Sequence, residues 1–378
     1  MKILIAGDFC PRDRVASLIT KGDYSFFDGV KDVIKESDYS IVNFECPVVE
    51  GDAIPIVKCG PALRTEREAV DAIKYAGFNC VTLANNHFRD FGSEGCESTI
   101  KALKKRDVDY VGGGMNLAEA QQVLYKVIQD KKIAIVNFCE NEFSIATTTT
   151  AGAAPMDTVD NYHQIIEARK NADYVLVIVH GGHEHYQLPS PRMKKLYRYY
   201  VELGADAVVN HHQHCYSGYE YYEGKPIVYG LGNFCFDGNR NGGNSIWSEG
   251  YVVILSILDA ELKVRLVPYI QCGDLASVEI MQGKKMADFC SNVNKLNAII
   301  ADDIQLQRGF EAWIDKNRKY ITTIFSTWHN RYLNAAAVRG WIPDLTSTKE
   351  YVAMFNHIYC ESHRDIIISV LKDKMYQK

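Results

Sequence analysis

The chain has 378 residues, 47% of them hydrophobic and 24% charged, enough for one large domain with an appendage or for two domains. Its 42 basic and 47 acidic residues leave a net charge of −5 and form no Lys/Arg-rich block, which excludes a general nucleic-acid binder. No segment approaches the roughly twenty apolar residues that span a bilayer.

The apolar start, Ile3 to Ala6, is too short for an export-signal core, so the expected location is cytoplasmic. Apolar runs predict buried strands at Lys2–Ala6, Tyr39–Phe44, Asn79–Ala84, Val108–Gly112, Lys132–Phe138, Tyr174–His180 and Ala205–Asn210. Amphipathic stretches at Thr65–Tyr75, Ser93–Lys105, Asp157–Asn171 and Pro191–Leu203 predict helices between several of them. This alternation is the mark of a layered α/β fold. After His214 strands follow one another, at Tyr216–Tyr222, Pro226–Gly230, Tyr251–Leu258 and Lys263–Tyr269. Such a run predicts antiparallel pairing and hence a mixed sheet.

From about residue 275 the pattern is helical. Met286, Phe289, Val293, Leu296, Ile300 and Ile304 recur at three- and four-residue spacing, and Trp313, Tyr320, Ile324, Phe325 and Trp328 continue in that style. Glu350–Lys374 is the last predicted helix. The expected division is a domain at 1–272 and a helical extension at 273–378, serving as cap, oligomerisation surface or partner surface. Eleven cysteines include no CxxC pair, so most are expected to be small buried hydrophobes. Cys10, Cys46, Cys215 and Cys235 stand apart because each adjoins a candidate site motif.

Eight of the eleven histidines lie between His87 and His214, clustered where strands are predicted to end. Gly7-Asp8 and Asn43-Phe44-Glu45 present carboxylates after the first two strands, and Asn85-Asn86-His87 adds an amide and an imidazole after the third. His180-Gly-Gly-His183-Glu184-His185 follows a run of Val and Ile, with Glu184 as a base or an orienting partner. His212-Gln213-His214, read as extended, sends both rings to one face. Gly230-Leu231-Gly232-Asn233-Phe234 follows another strand as a tight turn. In an open α/β sheet such strand ends converge on one crevice. Mixed oxygen and nitrogen donors suit Zn, Mn, Fe or Mg.

This motif order resembles the CapA-type family, linked to bacterial capsule and poly-γ-glutamate biosynthesis and part of the calcineurin-like metallophosphoesterase superfamily. The resemblance rests on the motifs above together with Asp90-Phe91-Gly92 and Gly224-Lys225-Pro226-Ile227-Val228-Tyr229-Gly230, and covers residues 1 to about 240. It implies a four-layer α/β/β/α sandwich with mixed sheets around a crevice holding one or two divalent metal ions. By motif, Asp8 and His214 would bind the first metal and Glu45 would bridge. Asn86, His180 and His212 would bind the second, and His87 would be the general acid. His183 and Glu184 are further catalytic candidates, and Cys10 and Asn233 are possible additional site residues. The chain departs from the superfamily pattern at Cys10, where histidine is usual, and at Glu45, where aspartate bridges. Gly181 stands where the family often has Trp, and His211 where glycine is expected.

The expected function is that of a metal-dependent hydrolase in capsule or poly-γ-glutamate-like polymer metabolism, cleaving a phosphoester or glutamyl amide by metal-activated water. The alternatives are a non-catalytic assembly protein that keeps the crevice for binding, and an amide-ligase subunit. The ligase reading is weakened by the absence of a GxxxxGK[ST] loop. Expected partners are a small-molecule or polymer substrate and, through the C-terminal helices, a second copy or a capsule-synthesis complex, without nucleic acid or an integral membrane segment.

Overall fold

The computed structural model describes every residue except 59, 239–245, 259–260, 326–329, 344, 360–370, 372–374 and 376–378. Residues 1–307 and 308–378 form two units. In the first, the strand Lys2–Phe9 lies at the middle of a sheet. Tyr39–Phe44, Cys80–Thr82 and Asp109–Val111 extend the sheet in parallel on one side. On the other side Glu249–Leu258, Glu261–Gln271 and Val278–Ile280 add antiparallel strands, and the short strand Asn233–Cys235 runs parallel beside the end of the first. A second sheet has the order Tyr219–Tyr222, Lys225–Val228, Ala207–His211, Tyr174–His180, Lys131–Cys139, Leu124–Ile128. It is parallel at its centre and antiparallel at both edges. Both sheets are therefore mixed.

Alternation along the first strand decides the layering. Leu4 and Ala6 face outward and pack with Val15, Ile19, Val30, Ile34, Val70 and Ile73. Those six come from the helices Asp13–Thr20, Asp28–Lys35 and Glu68–Ala76. Ile3 and Ile5 face inward, where they meet Ile135, Ile178 and Val209 of the second sheet. Burying each such aliphatic side chain contributes about 1.5–3 kcal/mol, so the inter-sheet layer holds the sandwich together. Helices Thr158–Asn171 and Pro191–Glu202 cover the outer face of the second sheet. Asp157 caps the one, and Ser190 followed by Pro191 starts the other. The result is the α/β/β/α order.

The first strand can lie this close to its neighbour only because residue 7 has no side chain. A Cβ there would sit 1.8 Å from the carbonyl oxygen of Gly232 and 3.3 Å from the backbone nitrogen of Phe234. Backbone cannot swing aside. Gly7→Ala is expected to destabilise the protein by at least ~3 kcal/mol, read as a clear drop in thermal midpoint by calorimetry. An unchanged midpoint would contradict this packing.

Some sequence-based expectations are corrected. The stretch from Tyr216 pairs as a strand only from Tyr219. The region after 275 still contributes the strand Val278–Ile280 before helix begins at Gly283–Ala301. That helix buries Phe289, Val293 and Ile300, whereas Met286 and Ile304 of the same stripe are exposed. Phe289 packs at 4.3 Å on the ring of Tyr216, so the first unit continues past residue 272. The second unit contains the helices Arg331–Val338 and Thr348–Tyr359, with Asn330 capping the former. Most of the expected helix beyond Tyr359, and Trp328, lie outside the described residues. No helix among the described residues is long and apolar enough to cross a membrane.

Candidate metal centre

Five strand ends meet at one buried cluster. Asp8 lies beside Asn43 and Asn233 in register, at an irregularity where the first strand shifts against both neighbours. Thr82 Oγ1 and Asn85 Nδ2 donate to Asn43 Oδ1 at 3.1 and 3.3 Å. This fixes the Asn43 amide so that its Nδ2 donates to Asp8 Oδ1 at 2.7 Å. Asp8 Oδ2 is left facing His214, whose Nδ1 is 3.6 Å away. Asn233 orients that ring: its Nδ2 donates to the carbonyls of His214 and Trp247, and its Oδ1 accepts from His214 Nδ1 at 2.9 Å. His214 Nε2 then carries the lone pair, 3.7 Å from Glu45 Oε1.

A second convergence centres on His180. Its Nε2 lies 3.1 Å from Asn86 Oδ1, 3.1 Å from His212 Nδ1 and 3.6 Å from Glu45 Oε1. Ligand atoms held ~2.1 Å from one ion are about 3 to 4 Å from each other, so these separations fit a shared cation. Two sets have mutually close ligand atoms, Glu45–His180–His212 and Asp8–Glu45–His214, and Glu45 belongs to both. The carboxylate of Glu45 is fully buried, yet among the described residues no N–H or hydroxyl donates to either oxygen. An unpaired carboxylate in such a place costs several kcal/mol, which a cation would offset.

The electrostatics agree with that donor set. Burial, with the neighbouring Asp8 second, pushes the Glu45 carboxyl well up, and burial raises Asp8. Burial, then the neighbouring His214, pushes His212 down to about 3. Burial also lowers His180 strongly and His214. The three imidazoles are thus neutral at neutral pH, the form that ligates metals.

His212 and His214 reach the cluster by a route different from the extended one expected. The strand ends at His211, and His212 and His214 have φ of 92° and 54°, a region costly for residues with a side chain. Gln213 turns the other way, donating to the carbonyls of Tyr186 and Leu188 and anchoring the loop. Strain in the loop, rather than strand alternation, brings the rings together.

His87 sits beside both sets without belonging to either. Its Nδ1 is 2.7 Å from Asp90 Oδ2, which leaves Nε2 for proton transfer. Asp90 is fully buried and also accepts from Leu63 N and from Lys58 Nζ, at 2.7 and 2.5 Å. Lys58 was invisible in the sequence because a loop carries it, 29 residues away, to His87. Glu142, 4.0 Å from His212 Nε2, was missed for a similar reason. Asp90 and Asn43 lie within the sequence motifs, and only the folded contacts give them their roles of holding His87 and Asp8.

Other candidates do not join the cluster. At Gly182, with φ of 107°, and His185, with φ of 61°, the chain turns off the sheet axis. His183 is therefore half-buried next to the Tyr186 ring, and Glu184 is exposed on the rim. Cys10 is buried against Cys46, and burial followed by that thiol raises its pKa well up. Among the described residues Cys10 is in neither ligand set.

Fold and cluster together define a four-layer α/β/β/α sandwich with a buried His/Asp/Glu centre at its strand ends. The model of the family "Bacterial capsule synthesis protein PGA_cap" matches residues 2–238, and the chain belongs to that family. It is 37% identical over 203 residues to the capsule biosynthesis protein CapA of Bacillus anthracis, covering 52% of this chain and 49% of that protein. Identity to the PGA biosynthesis protein CapA of Bacillus subtilis is 34% over 198 residues, 52% of each chain. The match thus spans about half the length of these relatives. A solved phosphatase structure from Mycoplasma pneumoniae is 14% identical with a TM-score of 0.46, over 71% of this chain and 93% of that one.

Proposed function

We propose that the chain is a metal-dependent hydrolase serving capsule or polyglutamate-type polymer biosynthesis, acting on a phosphoester or a glutamyl amide. The observation that carries this reading is Glu45, buried without a donor and shared by two sets of neutral nitrogen and ionisable oxygen ligands. Asp8, Glu45 and His214 would hold one divalent cation, and Glu45, Asn86, His180 and His212 a second. When bound, such an ion supplies Lewis acidity and lowers the pKa of coordinated water. The chain's own residues do the rest. Asn43 and Asn233 hold Asp8 and His214 in place. Asp90 fixes the His87 ring, whose Nε2 gives a proton to the leaving group. The names of the two Bacillus relatives support the polymer context.

A second reading, a binding protein without turnover, is favoured by one observation: Cys10 faces Cys46 and adds no ligand to the first set. One experiment separates the two. Chelator-stripped protein is assayed on bis-p-nitrophenyl phosphate and γ-glutamyl-p-nitroanilide, before and after Mn²⁺ addition. Turnover lost on stripping and restored by Mn²⁺ is expected. Turnover that survives exhaustive chelation sinks the metal-dependent mechanism, and bound metal without turnover on any ester or amide favours the binding protein.

A further inference from the structure

His211 ends the strand Ala207–His211 and is aligned across the sheet with His180. Ala207 and Val209 face the core between the sheets. Strand alternation sends the His211 ring the same way, onto Asp8. Its Nδ1 lies 3.8 Å from Asp8 Oδ1, and the residue is 2% exposed. Among the described residues neither of its ring nitrogens makes a hydrogen bond.

An imidazole kept in this condition needs a reason, since a buried polar group without a partner costs about 1–3 kcal/mol. Filling space is not one, because an apolar ring would fill it at lower cost. An imidazole in either neutral tautomer has one ring N–H to give. Asp8 Oδ1 has room for that N–H. A carboxylate oxygen accepts two hydrogen bonds, and Asn43 supplies one of them. His180 Nδ1, 3.9 Å from the same oxygen, is in contact with Asn43 Nδ2 instead. Shortening the His211–Asp8 separation by about 1 Å brings it into the ordinary N–H···O range.

We infer that His211 is a positioning residue for the metal centre, its Nδ1–H closing on Asp8 Oδ1 when Asp8 Oδ2 binds a divalent cation. The inference rests on the metal-centre reading above. The hydrogen bond it describes is made in the loaded protein and is missing from the metal-free one. His211 therefore contributes to cation affinity without contributing to the stability of the metal-free fold.

The test is Mn²⁺ titration by calorimetry on the stripped full chain, with the metal-free melting temperature measured alongside. Wild type is compared with His211→Phe, which keeps a ring and loses the donor, and His211→Asn, which keeps an N–H. His211→Phe is expected to weaken Mn²⁺ binding roughly 10–100-fold, as loss of an outer partner of a ligand does. Its metal-free melting temperature should equal or exceed that of wild type, and His211→Asn should recover most of the affinity. Equal Mn²⁺ affinity in wild type and His211→Phe overturns this inference alone. So does a joint fall of melting temperature and affinity that His211→Asn fails to repair, the signature of simple packing. A wild type that binds no Mn²⁺ overturns the metal-centre reading, and this inference with it.

Discussion

Glu45→Gln is expected to abolish tight binding of divalent cations at both ligand sets while leaving the metal-free protein at least as stable as wild type. The two halves of this result have one cause. Glu45 is the carboxylate common to both sets, so its charge is counted twice in holding cations. Glutamine has nearly the same shape but gives a neutral amide oxygen, a poor substitute where two cations share one ligand. In the metal-free protein the balance reverses, because burial and the nearby Asp8 both work against a charge on Glu45. Removing that charge relieves a desolvation penalty that reaches several kcal/mol for a buried ion. Metal content by mass spectrometry should fall from near two equivalents to well below one, with a metal-free thermal midpoint unchanged or higher. Full metal retention in Glu45→Gln would show that the buried carboxylate is not a bridge. A sharp loss of midpoint would show that it is a structural group instead.

The opposing effects of this one substitution also explain what could be read from the sequence. A carboxylate, amide or imidazole placed at the end of an apolar run has no packing rationale, so Asp8, Glu45, Asn86, His180 and the His212–His214 pair are legible in the sequence as candidate site residues. The four-layer order followed from the motif resemblance, and the alternation of Ile3 and Ile5 against Leu4 and Ala6 is its physical basis. What stayed hidden depends on contacts between distant segments. Lys58 and Glu142 reach the centre on loops whose course no periodicity reports. His183 and Glu184, compact with His180 in sequence, are carried to the rim by a single left-handed glycine. The helix Gly283–Ala301 looked like the start of an extension because its apolar stripe is ordinary. Its packing of Phe289 on Tyr216 and Tyr251, strands away in sequence, and the hydrogen bond from Tyr219 N to Asn297 Oδ1 tie it to the first unit.

His87→Gln is expected to lower kcat by roughly 10²–10⁴-fold, the range of a lost general acid, while metal content stays at the wild-type level. The geometry separates these two readouts. His87 is in neither ligand set, so its removal takes no donor from a cation. Its ring is instead held through Nδ1 by Asp90, itself tied to Leu63 N and Lys58 Nζ, an arrangement that orients Nε2 and contributes nothing to ligation. Glutamine keeps a hydrogen-bonding group near Asp90 but has no proton to give at neutral pH. The loss should be greatest for substrates with strongly basic leaving groups, which need the proton most. An activated p-nitrophenyl ester, whose leaving group departs readily as an anion, should suffer least. A uniform loss across leaving groups would point to misplacement of substrate rather than a missing acid. Loss of metal together with activity would make His87 a ligand, and the proton donor would then have to be sought on the rim, where Glu184 and His183 lie.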